Sequence, residues 1–189
     1  MTTRRDFLKT MTMASAGLAL GAGDILANPT FASQRKITDK VKIAYVGIGN
    51  RGEQIIGDFA RTGMVEVVAL CDVDMGAPHT QKVMNLYPKA KRFRDFRQMF
   101  DKAGNEFDAV AIATPDHSHF PISMLALASG KHVYVEKPLA RTFYEGELLM
   151  QAALKRPNLV TQVGNQGHSE ANYFQFKAWM DAGIIKDVT

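Results

Sequence analysis

Cysteine is almost absent: Cys71 is the only one in 189 residues. A single thiol cannot close an internal disulfide, so the fold must rest on its apolar core, and an oxidising compartment is tolerated without being exploited. Cys71 ends an apolar run and reads as a buried packing residue rather than a reactive thiol. Metal-ligand spacing is missing too. His117 and His119 flank one residue, but no carboxylate or Cys set accompanies them, so no metal is expected. Charge of one sign is scarce, with a formal net charge of only +4. The densest basic group (Lys89, Lys91, Arg92, Arg94 and Arg97) lacks a stacking array or recognition motif. It reads as a solvated face, and nucleic acid is not an expected partner. There is no internal repeat, low-complexity tract or charge block.

What remains is the profile of a soluble globular domain, 46% hydrophobic and 22% charged, with room for one domain and a small appendage. The first residues stand apart. Arg4-Arg5-Asp6-Phe7-Leu8-Lys9 is followed by a small-residue, modestly apolar run from Met11 to Ala27. A charged region, a short apolar region and a small residue for cleavage make an export signal, and the run is too short for a membrane span of ~20 apolar residues. The paired arginines resemble the twin-arginine signal, which implies the twin-arginine export machinery as a partner and a periplasmic or otherwise exported destination. That route carries folded proteins, so a cofactor can be loaded first. Cleavage near Ala27 or Ala32 fits. Residues 1–32 are read as signal and 33–40 as linker.

From Val41 onward, short β-branched runs alternate with helical stretches. Strands are expected at Val41–Val46, Val65–Cys71, Phe93–Asp95, Asp108–Thr114, His132–Glu136 and Leu159–Val163. Helices are expected at Glu53–Thr62, Pro78–Leu86, around Met99 and Phe100, and at Phe120–Ser129, Thr142–Lys155 and Tyr173–Asp181, with glycines closing several of them. This βαβαβ order predicts an α/β fold, a Rossmann-type doubly wound parallel sheet over residues 41–163 with helices on both faces. Ile184–Thr189 looks like another strand being entered, so 164–189 reads as the start of a further domain in a chain cut short.

Gly47-Ile48-Gly49-Asn50-Arg51-Gly52 is a G-x-G-x-x-G run directly after the first strand and opening a helix, the context that makes such a run a dinucleotide fingerprint. Gly47 permits the tight turn, Gly49 lets backbone approach a pyrophosphate, and Gly52 lets helix pack on strand. The loop amides, including those of Asn50 and Arg51, and the positive helix end then face the phosphates. Asp72 ends the second strand about 20 positions further on, where a carboxylate accepts hydrogen bonds from both ribose hydroxyls and repels an added phosphate; NAD is therefore expected over NADP. Asp74 competes for that role, with a turn role as its alternative, and FAD shares the fingerprint. Thr114-Pro115-Asp116-His117-Ser118-His119 and Glu136-Lys137-Pro138 leave two further strands on the same edge, where ligands of open parallel sheets bind.

Together, the glycine run with Cys71-Asp72, Thr114-Pro115 with His119, and Glu136-Lys137-Pro138 resemble the Gfo/Idh/MocA oxidoreductases, from about Val41 to the end of the chain. Gly164-Asn165-Gln166-Gly167-His168 is similar to the exported bacterial members. The resemblance implies an NAD-dependent oxidoreductase acting on a sugar, polyol or glycoside hydroxyl. Thr114 and Pro115 would line the nicotinamide side with His119 nearby, and Glu136 and Lys137 would reach the nicotinamide ribose and substrate. Lys137 would set a cation beside the oxygen being interconverted. Asn165, Gln166 and His168 would hydrogen-bond the polyol. The family has a second α/β domain that supplies the substrate pocket and the oligomer face; here it is missing or only begun, and a homo-oligomer is expected of the full length. Two alternatives stand beside this reading: a glycosidase relative that uses tightly held NAD for transient oxidation, and a cofactor-binding fragment without turnover.

Overall fold

The computed structural model describes residues 40–186. The expected export signal and nearly all of the linker therefore lie outside the described residues, as do residues 187–189. The elements run β1 (Val41–Val46), α1 (Arg51–Arg61), β2 (Val65–Cys71), α2 (Pro78–Leu86), β3 (Lys91–Phe93), α3 (Phe96–Ala103), β4 (Ala109–Ile112), α4 (His119–Ala128), β5 (His132–Glu136), α5 (Phe143–Leu154), β6 (Thr161–Gly164) and α6 (Ala171–Asp181). The strands form one sheet in the order β3-β2-β1-β4-β5-β6, with every neighbouring pair parallel. Strand order reverses between β1 and β4, which opens the crevice at the carboxyl edge where ligands of such sheets bind.

Alternation along the strands sorts side chains into two cores. Ala44 and Val46 of β1 join Cys71, Val110, Ile112, Val133 and Val135 on one face, under Met99, Ile122 and Leu149 of α3, α4 and α5. Ile43 and Tyr45 join Leu70 and Ala111 on the other, under Ile55, Ile56 and Val83 of α1 and α2. Burial on both faces is why these strands read as continuous apolar runs rather than alternating ones.

Several expected boundaries shift for identifiable reasons. The third strand is Lys91–Phe93 rather than Phe93–Asp95, because Asp95 is the N-cap of α3 and its side chain accepts the Arg97 N–H. The stretch from Ile184 is not a strand over the described residues 184–186. Gly183 sits at φ 69° and the Ile184 N–H bonds back to the Trp179 carbonyl at 3.0 Å, so these residues close α6. Thr142 opens α5 through a capping box with Glu145. α6 itself buries no residue.

Candidate cofactor groove and adjoining polar pocket

The glycine loop is shaped by what surrounds it. Gly47 has φ 79°, and a Cβ there would lie 2.6 Å from the Ala113 carbonyl oxygen; its N–H donates to the Cys71 carbonyl at 2.9 Å. A Cβ on Gly52 would strike the Gly47 carbonyl. Both glycines thus serve backbone packing between β1, α1 and β4. At Gly49 the neighbour is different: the ring of His79, from the first turn of α2, occupies the space a Cβ would fill. Gly49 was expected to let backbone approach a pyrophosphate; in the structure its missing side chain also makes room for the His79 ring.

Asp72 is fixed beside this loop. Its Oδ2 accepts the Ile48 N–H at 2.9 Å and its Oδ1 accepts the Asp74 N–H at 3.0 Å. Each oxygen keeps a lone pair for a ribose hydroxyl. Asp74 instead turns its own Oδ1 to the Gly76 N–H, a local turn role. Asn50, at φ 47°, precedes α1 without capping it through its side chain, so first-turn amides remain for an anion.

Arg51 opens α1 and reaches across the edge to β5. Its Nη2 donates to Glu136 Oε1 at 3.0 Å and its Nη1 donates to Gln54 at 3.0 Å. The Glu136 hydrogen bond, ahead of the Coulombic contribution, holds the Arg51 guanidinium charged beyond its ordinary range. Tyr134 donates to the same carboxylate oxygen at 3.2 Å, and burial foremost, then Glu136, raises the Tyr134 pKa. Glu136 is only 4% exposed. It is turned inward as a tie between β5 and α1 instead of opening toward a ribose and substrate as expected. Its carboxylate also fills the space above Gly164, which explains why β6 ends on a residue without a side chain.

Thr114 lines the groove, and its Oγ1 is buried without a hydrogen-bond partner. His119 was expected beside the nicotinamide, but it is 1% exposed with Nδ1 at 2.7 Å from the Pro138 carbonyl and Nε2 at 2.8 Å from the Thr114 carbonyl. Its ring ties the two edge loops together and has no face left for a ligand. His117, two residues earlier, lines the groove in its place. Arg94 and Arg97 also line it, so part of the basic group read as a solvated face belongs to the site.

These residues border a groove of about 760 Å³ that includes Gly47, Gly49, Asn50, Arg51, Asp72, Thr114 and Pro115. Lys137, exposed just after β5, opens into a separate pocket with Asn165 and Gln166 and the α6 aromatics Tyr173, Phe176 and Trp179. His168 belongs to the single turn Gln166–Ser169 that follows β6. The Arg51–Glu136 pair links the two regions through the strand that carries Lys137. Sequence reasoning missed His79, whose only local signal is Pro78 at the start of α2; its contact with Gly49 is tertiary. The groove fits a dinucleotide. It offers uncapped amides at a helix start, a carboxylate oriented by two backbone donors, and an orphaned threonine hydroxyl.

Comparison with known proteins agrees with that fit. Residues 41–164 match the family model described as an oxidoreductase family with an NAD-binding Rossmann fold. Inositol 2-dehydrogenase of Salmonella typhimurium is 30% identical over 147 residues, which span 77% of this chain and 43% of that protein. An alpha-N-acetylgalactosaminidase of Shewanella oneidensis is 29% identical over 161 residues, 75% of this chain and 35% of the relative. Among solved structures, scyllo-inositol dehydrogenase from Lactobacillus casei with bound NAD(H) and scyllo-inositol superposes with a TM-score of 0.68 at 28% identity, covering 80% of this chain and 44% of that one. The chain spans less than half the length of these relatives. It belongs to the Gfo/Idh/MocA oxidoreductase family and carries that family's NAD-binding Rossmann domain.

Proposed function

We propose that this chain is the nucleotide-binding portion of an NAD-dependent oxidoreductase acting on a sugar or polyol hydroxyl, with residues 1–32 directing export by the twin-arginine route. The observation that carries the catalytic part is Lys137, which leaves β5 at the carboxyl edge and opens into a pocket with Asn165 and Gln166. The loop amides of Gly49, Asn50 and Arg51 hold the pyrophosphate and Asp72 holds the adenosine ribose. Thr114 Oγ1 finds its partner at the nicotinamide end. Bound there, NAD supplies a hydride acceptor. As the hydride passes to NAD and the hydroxyl proton passes to water in the open pocket, the Lys137 ammonium would sit beside the substrate oxygen and stabilise the negative charge developing there. Asn165 and Gln166 orient neighbouring hydroxyls, while Arg51 and Glu136 hold β5 against α1 so that Lys137 keeps its place. His168, in the turn after β6, is kept as a substrate-side residue on the family resemblance alone. Asp72 beside the ribose disfavours a 2′-phosphate, and so NADP.

Calorimetry on the chain tests the cofactor part. NAD is expected to bind, NADP more weakly, and Asp72→Ala to weaken NAD about tenfold or more, since two hydrogen bonds to a charged acceptor are removed. Failure of the folded chain to bind NAD would sink the proposal. A second reading is favoured by the similarity to the alpha-N-acetylgalactosaminidase: a glycosidase in which oxidation is transient. Net NADH formation during turnover supports the dehydrogenase, and sugar release without it supports the glycosidase. Export is checked by replacing Arg4 and Arg5 with Lys and following a fused reporter, which should stay inside the cell.

A further inference from the structure

The β3–α3 junction carries an arrangement that helix capping alone does not require. Asp95 accepts the Arg97 backbone N–H at 2.9 Å, which satisfies the cap. It also accepts from Arg97 Nε and from Nη2, both at 3.0 Å. Two bonds to one carboxylate hold the guanidinium in a fixed plane. Its carbon lies 5.3 Å from the centroid of the Phe96 ring. The arginine side chain nevertheless stays 73% exposed, and both Phe96 and Arg97 line the groove that contains the glycine loop and Asp72.

We propose that the Arg97 guanidinium, pinned by Asp95 and backed by Phe96, is the platform on which the adenine ring of the cofactor stacks. This rests on the reading that NAD lies in this groove. The sheet sets the direction. Asp72 donates its N–H to the Phe93 carbonyl at 3.1 Å, so the residue assigned to the adenosine ribose sits against the last residue of β3. The base on that ribose points away from the Thr114 end, toward β3, and residues 94–97 come next. The chemistry favours a base over a phosphate. The Arg97 charge is already matched by Asp95, which leaves little field for an anion, while the flat face of the guanidinium is open. A neutral purine is the ligand such a face takes, by stacking with a cation–π contribution.

The test is calorimetry on the full chain with ADP-ribose and with UDP-ribose, which keeps the diphosphate and both riboses but carries a smaller pyrimidine. In Arg97→Ala the wild-type preference for ADP-ribose over UDP-ribose should fall about tenfold, the loss expected for one stacked base. A purely structural role would lower both affinities alike and leave the preference intact, and that result overturns the platform. Arg97→Lys keeps the charge and loses the plane. It should resemble Arg97→Ala, and recovery of the preference in this variant would mean an ionic contact and also overturn the proposal. Phe96→Leu should lose part of the preference. If the wild-type chain binds neither ligand, the cofactor reading itself fails, and the platform with it.

Discussion

Adding a methyl group at Gly47 and at Gly49 would meet different opponents. At Gly47 it meets the Ala113 carbonyl and a φ of 79°, both properties of backbone that cannot step aside. At Gly49 the nearest atoms it meets belong to the His79 ring, which rotates about two side-chain bonds. Gly47→Ala should therefore cost about 3 kcal/mol or more in urea unfolding, from left-handed strain plus the clash. Gly49→Ala should cost about 1 kcal/mol, and most of that should return in the Gly49→Ala, His79→Ala double variant. Equal costs at the two glycines would contradict this division. The fingerprint was legible as a motif, because its spacing and its place after a strand are sequence properties. Which glycine faces backbone and which faces a side chain was not, since Ala113 and His79 arrive from elsewhere in the chain. The same limit applies to His119: its position two residues after His117 says nothing of the Pro138 carbonyl that captures its ring.

Among the elements, α5 was easy to read from its helical periodicity over Thr142–Lys155, and the structure adds a capping box of Thr142 with Glu145 that fixes its start. β3 was harder, since a strand of three residues carries little periodicity, and Asp95, expected within the strand, instead caps α3 through the Arg97 N–H. α6 shows the reverse case. Its pattern predicts a helix and one forms, yet it buries nothing, while Tyr173, Phe174, Phe176, Trp179 and Met180 remain exposed. Local opening of such a helix costs little because it exposes no fully buried residue. Its amides should exchange with deuterium at least about a hundredfold faster than those of β1 and β4, whose residues lie in the two cores. Comparable protection in α6 and β1, measured by mass spectrometry on the chain as given, would show that the helix is covered.

Across the whole molecule, the sheet makes one demand on solution conditions that a single residue reports. Burial, ahead of the neighbouring carboxylates, pushes the Cys71 thiol from 9.0 up to about 12. The neutral thiol is the form the core accepts. Because the folded pKa is raised, its stabilising contribution is complete below the unfolded value and is lost as pH rises through the folded one. Resistance to urea should thus fall between pH 9 and 12, and Cys71→Ala should make that fall shallower. Tyr45 keeps part of the slope, because its phenol is raised in the same direction by burial. An unchanged slope in the variant would remove Cys71 from the account.

By itself, the sequence determined the fold class, the order of elements, the fingerprint with its acidic partner and the family, because each rests on local spacing: period 2 or 3.6, glycines at fixed offsets, a carboxylate at a strand end. Tertiary structure alone decided which candidates share a space. It placed Asp72 and Thr114 in one groove and Lys137, Asn165 and Gln166 in another. It buried His119, turned Glu136 to Arg51, and brought His79 and Arg97 to the nucleotide side. Those outcomes depend on contacts between residues far apart in the chain, at distances of a few ångströms that only the packing of the sheet against its helices sets.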